Sequence, residues 1–248
     1  MTKAILITGA SRGIGAATAV LAASKGYRVC VNYRSDAIAA SAIVDQIEKN
    51  GGRAMAVQAD VSLESDVVRL FRTIDRELSS LDALVNNAGI LEPQMRVEDM
   101  TVERMQRVFA TNVIGSMLCA REAVKRMSTK HGGKGGAIVN LSSMAARLGS
   151  PNEYVDYAAS KGAVDSLTIG LAKEVGGEGI RVNAVRPGLI HTEMHASGGE
   201  PGRVDRLKAT TPMQRGGEPD EVARAILWLL SDEASYVTGT FIDVSGGR

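Results

Sequence analysis

Cysteine is scarce in this 248-residue sequence, which contains only Cys30 and Cys119. The two residues lie far apart in apolar stretches, so they form neither the close spacing of a metal site nor the framework of a disulfide-rich secreted domain. We therefore predict two free, buried thiols that ligate no metal.

An excess of charge and long apolar runs are also missing. Lys and Arg number 29 and Asp and Glu number 28, so no basic excess points to nucleic acid or to an acidic membrane. The apolar run at residues 4–7 is too short for a signal peptide or a membrane span. The sequence thus predicts a cytoplasmic protein with no nucleic-acid or membrane partner.

Short apolar runs and segments of helical periodicity alternate along the chain, without an internal repeat or a linker-like tract. Predicted strands cover residues 4–7, 28–33, 53–59, 82–85, 137–141, 179–185 and 240–244. Predicted helices cover residues 16–25, 36–50, 64–78, 101–109, 112–127 and 219–230, with a further helix through residue 157. This alternation indicates one α/β domain over residues 1–248, with a parallel sheet and helices on both faces.

A glycine-rich segment, TGASRGIG at residues 8–15, follows the first predicted strand and precedes a helix. Glycines allow the main chain to approach a pyrophosphate, and the positive end of the helix dipole favours its charge. The segment therefore predicts a dinucleotide-binding site.

The end of the second predicted strand bears on which dinucleotide binds. An NAD site has an acid near this point to hold the ribose 2′-hydroxyl, whereas this chain has Asn32, Tyr33 and Arg34. Arg34 and Arg12 together favour a 2′-phosphate, so we predict NADP(H) in preference to NAD(H). The alternative is an NAD site in which Asp36 serves the ribose.

Tyr157 and Lys161 are spaced to lie on one face of a helix. Because an ammonium beside a phenol favours the phenolate, we expect Lys161 to lower the pKa of Tyr157. Ser142 and Ser143 follow the buried strand predicted at residues 137–141, and open α/β sheets bind their ligands at such strand ends. A hydroxyl, a phenol and an ammonium in this order predict carbonyl chemistry.

The segment at residues 189–217 has weak periodicity and several Gly and Pro residues, which is typical of a lid or binding loop. Its His191, Glu193 and His195 do not have the spacing of a metal site, so we predict exposed polar residues and no metal. Nearby cations could attract an anionic substrate or form a solvated face: Arg203, Arg206 and Lys208.

Taken together, these motifs resemble those of the short-chain dehydrogenase/reductase family, over essentially the whole chain. The matching segments are TGASRGIG at 8–15, Asp60-Val61, NNAG at 86–89, Asn112, NLSS at 140–143, Tyr157-x-x-x-Lys161 and Pro187-Gly188. The resemblance implies a single-domain Rossmann-like fold with a parallel sheet of seven strands.

The resemblance also implies a catalytic tetrad of Asn112, Ser143, Tyr157 and Lys161, with Ser142 as the neighbouring alternative for the serine. Tyr157 would be the general acid in carbonyl reduction and the base in alcohol oxidation, while Ser143 holds the substrate oxygen. Lys161 would lower the pKa of Tyr157 and bind the nicotinamide ribose, and Asn112 would hold a water in a proton relay.

Further positions are implied as cofactor contacts by the same resemblance. They are Gly9, Ser11, Arg12, Gly13, Ile14, Gly15, Asn32, Tyr33, Arg34, Asp60, Val61, Asn86, Ala88, Gly89, Tyr157, Lys161, Pro187, Gly188, Ile190 and Thr192. Members of the family commonly form homotetramers through the helices that here span about 112–130 and 154–176, so we expect a homotetramer.

The expected function is NADP(H)-dependent interconversion of a carbonyl compound and a secondary alcohol, with action on the CH–OH group. Sugar or polyol dehydrogenases that use NAD(P) share this frame, as do ketoacyl-thioester reductases, and the sequence does not choose between them. An acyl-carrier partner would require a basic patch, for which Arg147, Arg203 and Arg206 are candidates. A non-catalytic cofactor sensor is the alternative of a different class.

Overall fold

A parallel sheet of seven strands forms the centre of the molecule in the computed structural model, which describes residues 3–248. The strands are β1 (Ala4–Ile7), β2 (Arg28–Tyr33), β3 (Arg53–Gln58), β4 (Ala83–Asn86), β5 (Gly136–Leu141), β6 (Ile180–Pro187) and β7 (Phe241–Val244). Their order across the sheet is β3-β2-β1-β4-β5-β6-β7. The strand order reverses between β1 and β4, and ligands of open α/β sheets bind at that point.

Helices connect the strands and cover the sheet. They are α1 (Gly13–Ser24), α2 (Ala37–Lys49), α3 (Glu64–Leu78), α4 (Val102–Phe109), α5 (Ser116–Met127), α6 (Ala145–Leu148), α7 (Val155–Val175), α8 (Met194–Ser197), α9 (Arg203–Leu207) and α10 (Pro219–Leu230). A π-helix at Ala110–Gly115 joins α4 to α5. None of the helices described between residues 3 and 248 is long and apolar enough to cross a membrane.

Two apolar clusters, one on each face of the sheet, form the core. Ile5 and Ile7 of β1 belong to the cluster that includes residues of α1, α2 and α10. Leu6, which points to the opposite face because side chains alternate along a strand, packs in the cluster with α3, α5 and α7. The predicted parallel sheet with helices on both faces is confirmed, and Cys30 and Cys119 are free, buried thiols as expected.

Several element boundaries differ from those predicted. Helix α1 begins at Gly13, earlier than the predicted residue 16, and Gly26 follows its end with a φ of +86°. The π-helix at Ala110–Gly115 lies between α4 and α5, so α5 begins later than the predicted residue 112. The segment at 189–217 contains α8 and α9, so it is more ordered than the loop that its composition predicts.

Candidate active site

Three of the four predicted catalytic side chains converge on one cavity. Ser143 lies just after β5, and Tyr157 and Lys161 lie on the first turns of α7; all three line the cavity. The side chain of Ser143 acts on the phenol of Tyr157 by lowering its pKa, whereas the hydroxyl of Ser142 donates to the main-chain oxygen of Lys161 at 3.3 Å. Ser143 is therefore the serine placed beside the phenol.

The ammonium of Lys161 is held at the end of β5. Its Nζ donates to the main-chain oxygen of Leu141 at 2.6 Å and lies 5.6 Å from the centre of the Tyr157 ring. A Cβ placed on Gly89 would lie 3.6 Å from Lys161 Nζ and 3.4 Å from Asn112 Oδ1. The glycine thus leaves open the space beside Lys161 and Asn112.

The expected lowering of the Tyr157 pKa is wrong in this structure. Burial raises the pKa of Tyr157 to about 12, and the hydrogen bond from Ser143 opposes that rise only in part. Burial also lowers the pKa of Lys161 to about 8. Desolvation disfavours the charged form of both groups, so the phenol is protonated at neutral pH and is ready to donate its proton.

Asn112 occupies the π-helix, a distortion that is frequent at functional sites. Its Oδ1 accepts from the main-chain N–H of Ile90 at 2.8 Å. Its Nδ2 donates to the main-chain oxygen of Ile90 and to Ser160 Oγ, each at 3.1 Å. The fully buried amide therefore ties the segment after β4 to α7, next to Lys161.

The glycine turn after β1 fits a dinucleotide. Gly13 has a φ of +56°, and a Cβ at this position would lie 3.3 Å from Thr192 Cγ2, so a side chain here would fill the gap between the turn and residues 187–192. Arg12, at the N-cap of α1, makes no side-chain capping hydrogen bond. The N–H groups of the first turn are thus available for a phosphate.

Asn87 lines the cavity, although the sequence analysis did not single it out as a site residue. Its Nδ2 donates to the main-chain oxygens of Thr8 and Gly9 at 2.8 and 2.9 Å. A Cβ on Gly15 would lie 2.5 Å from the same nitrogen. Asn87 therefore fixes the glycine turn. In the sequence, a second amide side chain directly after the apolar run of β4 could have pointed to this residue.

Residues at the ends of β4 and β6 border the same cleft. Ala88 packs against Gly9, where an added Cβ would come within 3.0 Å of the Ala88 Cα. The cavity is also lined by residues from the glycine turn and from the segment after β6, namely Ile14, Pro187, Gly188, Ile190 and Thr192. These predicted cofactor positions therefore lie together.

At the nucleotide end, Arg12 and Arg34 are exposed and Tyr33 is half-buried. Within residues 3–248, neither guanidinium hydrogen-bonds to or forms an ion pair with another protein group. Asp36, the alternative ribose ligand, caps α2 and accepts a hydrogen bond from Ala39 N at 2.9 Å. Both guanidiniums are thus without a protein partner among the described residues, whereas the Asp36 carboxylate is engaged as the cap of α2.

Two predicted cofactor residues instead support the main chain beneath the site. Asn32 is buried, where its Oδ1 accepts from Gly9 N at 3.3 Å and its Nδ2 donates to Ala59 O at 3.1 Å. Asn86 is also buried and donates to Ser116 O at 3.1 Å and to Asn140 Oδ1 at 3.0 Å. Their amides hold the ends of β2 and β4.

The remaining predicted positions flank the turn. Ser11 is half-buried within the glycine segment. Asp60 accepts hydrogen bonds from the N–H and hydroxyl of Ser62 at 2.9 and 2.7 Å, which fixes the turn after β3. Val61 is buried against Gly115 of the π-helix, where an added Cβ would come within 2.9 Å of Val61 Cγ2.

An ion-pair network, which we call the lid network, fastens the 189–217 segment to the start of α7. Arg203 pairs with Glu153 and with Glu200, and Arg206 pairs with the same two carboxylates. Hydrogen bonding by Arg206, and then by Arg203, lowers the pKa of Glu200 to about 2. The Arg203 guanidinium also lies 5.0 Å from the centre of the Tyr154 ring.

The proposed basic patch is consequently neutralised within the chain. Arg203 and Arg206 belong to the lid network, Arg147 pairs with Asp243 at 2.9 Å, and Lys208 pairs with Asp205 at 2.8 Å. The expectation that three arginines offer free positive charge to an acidic partner is therefore not supported by the geometry.

The histidines of this segment are separated. His191 is exposed, 4.0 Å from a Glu218 carboxylate oxygen, whereas His195 Nε2 lies 3.0 Å from the main-chain oxygen of Ile190. Glu193 is exposed. Over residues 3–248, no group of three or more His, Cys, Asp or Glu side chains is arranged to hold a metal ion.

A buried ion pair beside Tyr157 also escaped the sequence analysis. Arg104 of α4 donates from Nε to Asp156 Oδ2 at 2.7 Å and from Nη2 to Asp156 Oδ1 at 3.3 Å. Asp156 Oδ1 in turn accepts from Tyr157 N at 2.9 Å. This pair fixes the first turn of α7. In the sequence, the acid directly before Tyr157 could have pointed to it.

Known proteins are similar to this chain in architecture and in sequence. A family model described as enoyl-(acyl carrier protein) reductase matches residues 9–248. An uncharacterized oxidoreductase, YgfF, of Escherichia coli K12 is 63% identical over 98% of this chain and 98% of its own length. A short-chain dehydrogenase of Burkholderia cenocepacia J2315, solved in complex with NADP, has a TM-score of 0.90 and 33% identity, covering 100% of this chain and 98% of that one.

Two further relatives have names that specify reactions. A 3-oxoacyl-[acyl-carrier-protein] reductase of Synechocystis is 41% identical over 98% of this chain and 95% of its own length. Glucose 1-dehydrogenase 2 of Bacillus subtilis is 40% identical over 99% of this chain and 94% of its own length. The fold and these likenesses define the protein as an oxidoreductase of the dinucleotide-dependent class. More particularly, the chain belongs to the short-chain dehydrogenase/reductase family.

Proposed function

We propose that this protein is an NADP(H)-dependent oxidoreductase that interconverts a carbonyl compound and a secondary alcohol, with Tyr157 as the general acid and base. The observation that carries the proposal is the placement of Ser143, the Tyr157 phenol and Lys161 together in the wall of one cavity. A phenol in reach of a substrate oxygen is a usable proton donor.

The cofactor and the side chains supply different parts of the reduction. The reduced nicotinamide nucleotide, when bound, supplies a hydride to the carbonyl carbon. Ser143 holds the carbonyl oxygen, and Tyr157 transfers its phenolic proton to that oxygen, so the product is a secondary alcohol. Lys161, with its pKa near 8, stabilises the phenolate that remains. Alcohol oxidation reverses each step.

The cofactor residues proposed here form four groups. The main chain of the glycine turn, at Gly9, Ser11, Gly13, Ile14 and Gly15, meets the pyrophosphate. The segment after β6, from Pro187 to Thr192, meets the nicotinamide end, while Asp60, Val61, Ala88 and Gly89 flank the adenosine. Arg12 and Arg34, together with Tyr33, receive the 2′-phosphate, for which their unpaired guanidiniums and the NADP-bound relative are the support.

Two other functions remain as alternatives to ketone reduction. A sugar dehydrogenase is favoured by the likeness to glucose 1-dehydrogenase 2. A non-catalytic cofactor sensor would retain the fold without needing the proton donor. The complete set of Asn112, Ser143, Tyr157 and Lys161 around one site favours the enzyme.

We also propose a homotetramer. Ile114 and Met117, at the junction of the π-helix and α5, are each 50% exposed, and Ile169 on α7 is 41% exposed. Apolar side chains that a single chain leaves in water on these two helices are typical of an interface.

The direct test is the oxidation of NADPH and of NADH by the purified protein with a panel of ketones, diketones, acetoacetyl thioesters and aldoses. We expect turnover with NADPH, and we expect Arg34→Ala to lower kcat/KM for NADPH about tenfold, the size of one charged contact to a phosphate. Kinetics with NADH provide the internal control, because NADH lacks the 2′-phosphate. A preference for NADH in the wild type would contradict the cofactor assignment.

A further inference from the structure

Four side chains with basic groups line the cavity. They are Lys161, His195, Arg203 and Arg248, and among residues 3–248 no Asp or Glu contributes to the lining. Because low-dielectric walls strengthen charge interactions, a free positive charge among these groups would favour anionic ligands over neutral ones.

Three of these four groups are engaged by the protein itself. Lys161 Nζ donates to the Leu141 main-chain oxygen at 2.6 Å. Arg203 belongs to the lid network. His195 is hydrogen-bonded to the Ile190 main-chain oxygen at 3.0 Å, and burial lowers the pKa of its imidazole, which keeps it neutral at pH 7.

Arg248 differs from the other three. Its main chain is anchored to Ser245 by hydrogen bonds of 3.4 Å from Arg248 N and 3.1 Å from Ser245 Oγ. Arg248 is a half-buried residue of the cavity wall and, among the residues that the structure describes, its guanidinium has no carboxylate or hydrogen-bond partner. A guanidinium without a protein partner is available to pair with an anionic ligand.

The position of Arg248 in the sheet assigns it to the substrate side. The glycine turn follows β1 and Arg34 follows β2, whereas Ser143, Gly188 and Arg248 follow β5, β6 and β7 at the other end of the sheet order. Gly188 packs directly against the Ser245 Cα, to which an added Cβ would come within 2.8 Å. Arg248 is therefore distant in strand order from the predicted 2′-phosphate site.

The rest of the substrate side is mostly apolar. Its lining includes Leu91, Met144, Leu148, Leu189 and Met194. A sugar would require several hydrogen-bonding groups along its length, whereas these side chains suit a hydrocarbon body. Polar side chains also line the cavity, among them Ser143 and Tyr157, where the carbonyl is held, and Arg248, whose guanidinium has no partner among the described residues.

We infer that the substrate is an oxo acid with an apolar body, and that Arg248 binds its carboxylate at a distance from the reacting carbonyl. The planar guanidinium matches a carboxylate with two parallel hydrogen bonds. This inference rests on the proposed function, and it makes Arg248 a residue that determines specificity rather than one that moves the proton.

The test compares 4-oxopentanoate, 5-oxohexanoate and 6-oxoheptanoate with their methyl esters, in the wild type and in Arg248→Gln and Arg248→Lys. We expect the wild type to prefer at least one acid over its ester, and Arg248→Gln to raise KM for that acid about ten- to hundredfold, the range of a charged hydrogen bond. Turnover of the ester should be unchanged. Arg224→Gln, which removes an exposed arginine on α10, is the matched control.

A binding measurement separates this inference from the proposed reaction. Calorimetric titration of the same acids and esters into the protein saturated with NADP⁺ requires no turnover. Acid binding that is lost in Arg248→Gln and partly kept in Arg248→Lys supports the assignment, even if no compound is reduced. Equal binding of acid and ester, equal binding by wild type and Arg248→Gln, or no binding of any acid overturns it.

Discussion

At the scale of single residues, burial controls the proton chemistry of the site. The same desolvation that keeps Tyr157 protonated lowers the pKa of Lys161 to about 8. The sequence placed the two side chains on one face of a helix, but it could not show how far each is removed from water. The sequence analysis therefore predicted the wrong direction for the shift in the Tyr157 pKa. The residue itself was identified from its spacing to Lys161.

The titration of Lys161 predicts a pH dependence for the reaction. As the pH rises through about 8, Lys161 loses the charge that stabilises the Tyr157 phenolate. We expect kcat/KM for reduction to fall above that pH with the slope of one proton, measured from pH 6 to 10 by NADPH oxidation. A profile that stays flat up to pH 10 would contradict this role.

Unfolding measurements with Lys161→Met provide an independent check. Because the pKa of Lys161 is lower in the folded protein than in the unfolded chain, the unfolded state holds an additional proton between pH 8 and about 10. Wild-type stability should therefore rise through that window relative to Lys161→Met. An equal pH dependence of the two proteins would show that Lys161 titrates normally.

At the scale of helices and strands, local signals defined most of the fold. The predicted bounds of α3 and α10 agree with the structure, since α3 has a clear apolar stripe and α10 begins with Pro219 after a capping box. The π-helix could not be predicted, because Asn112 is fixed by Ile90 and Ser160, which are distant in sequence. For the same reason, α9 was not predicted, since its Arg203 and Arg206 pair with Glu153, which is distant in sequence.

The buried pair between α4 and α7 predicts a large loss of stability when it is broken. Arg104→Met would leave the Asp156 carboxylate buried without its cation, which costs about 3–5 kcal/mol. Denaturant unfolding followed by circular dichroism measures the change. Arg107→Met is the control, because its pair with Glu92 is largely exposed, and it should leave the midpoint nearly unchanged. Equal midpoints for Arg104→Met and wild type would contradict the account.

At the scale of the whole molecule, the sheet order explains why the two halves of the site differ. The glycine turn and Arg34 follow β1 and β2, on one side of the reversal in strand order, and the catalytic groups follow β5 and precede or lie on α7. A dinucleotide extended across that reversal would join the two sides. The alternation of strands and helices predicted a parallel sheet with helices on both faces, whereas the strand order and the pairing of Arg203 and Arg206 with acids became visible only in three dimensions.

The exposed apolar face on α5 and α7 predicts the state of association. We expect the wild type to have a mass well above the 26.1 kDa of one chain in light scattering. Ile169→Asp should shift the protein towards the monomer, because a buried carboxylate without a partner opposes assembly. Ile38→Asp, on the outer face of α2, is the matched change and should have no effect. A monomeric wild type at micromolar concentration would exclude the proposed assembly.

The central claim is that Tyr157 donates the proton, and the most direct measurement compares Tyr157→Phe with the wild type in NADPH-dependent reduction of a substrate from the carbonyl panel. Removing the hydroxyl while keeping the ring should lower kcat about 10²- to 10⁴-fold. NADPH affinity and the unfolding midpoint should be retained, and Tyr236→Phe, which alters a fully exposed phenol, should behave as wild type. Turnover that survives in Tyr157→Phe would contradict the account.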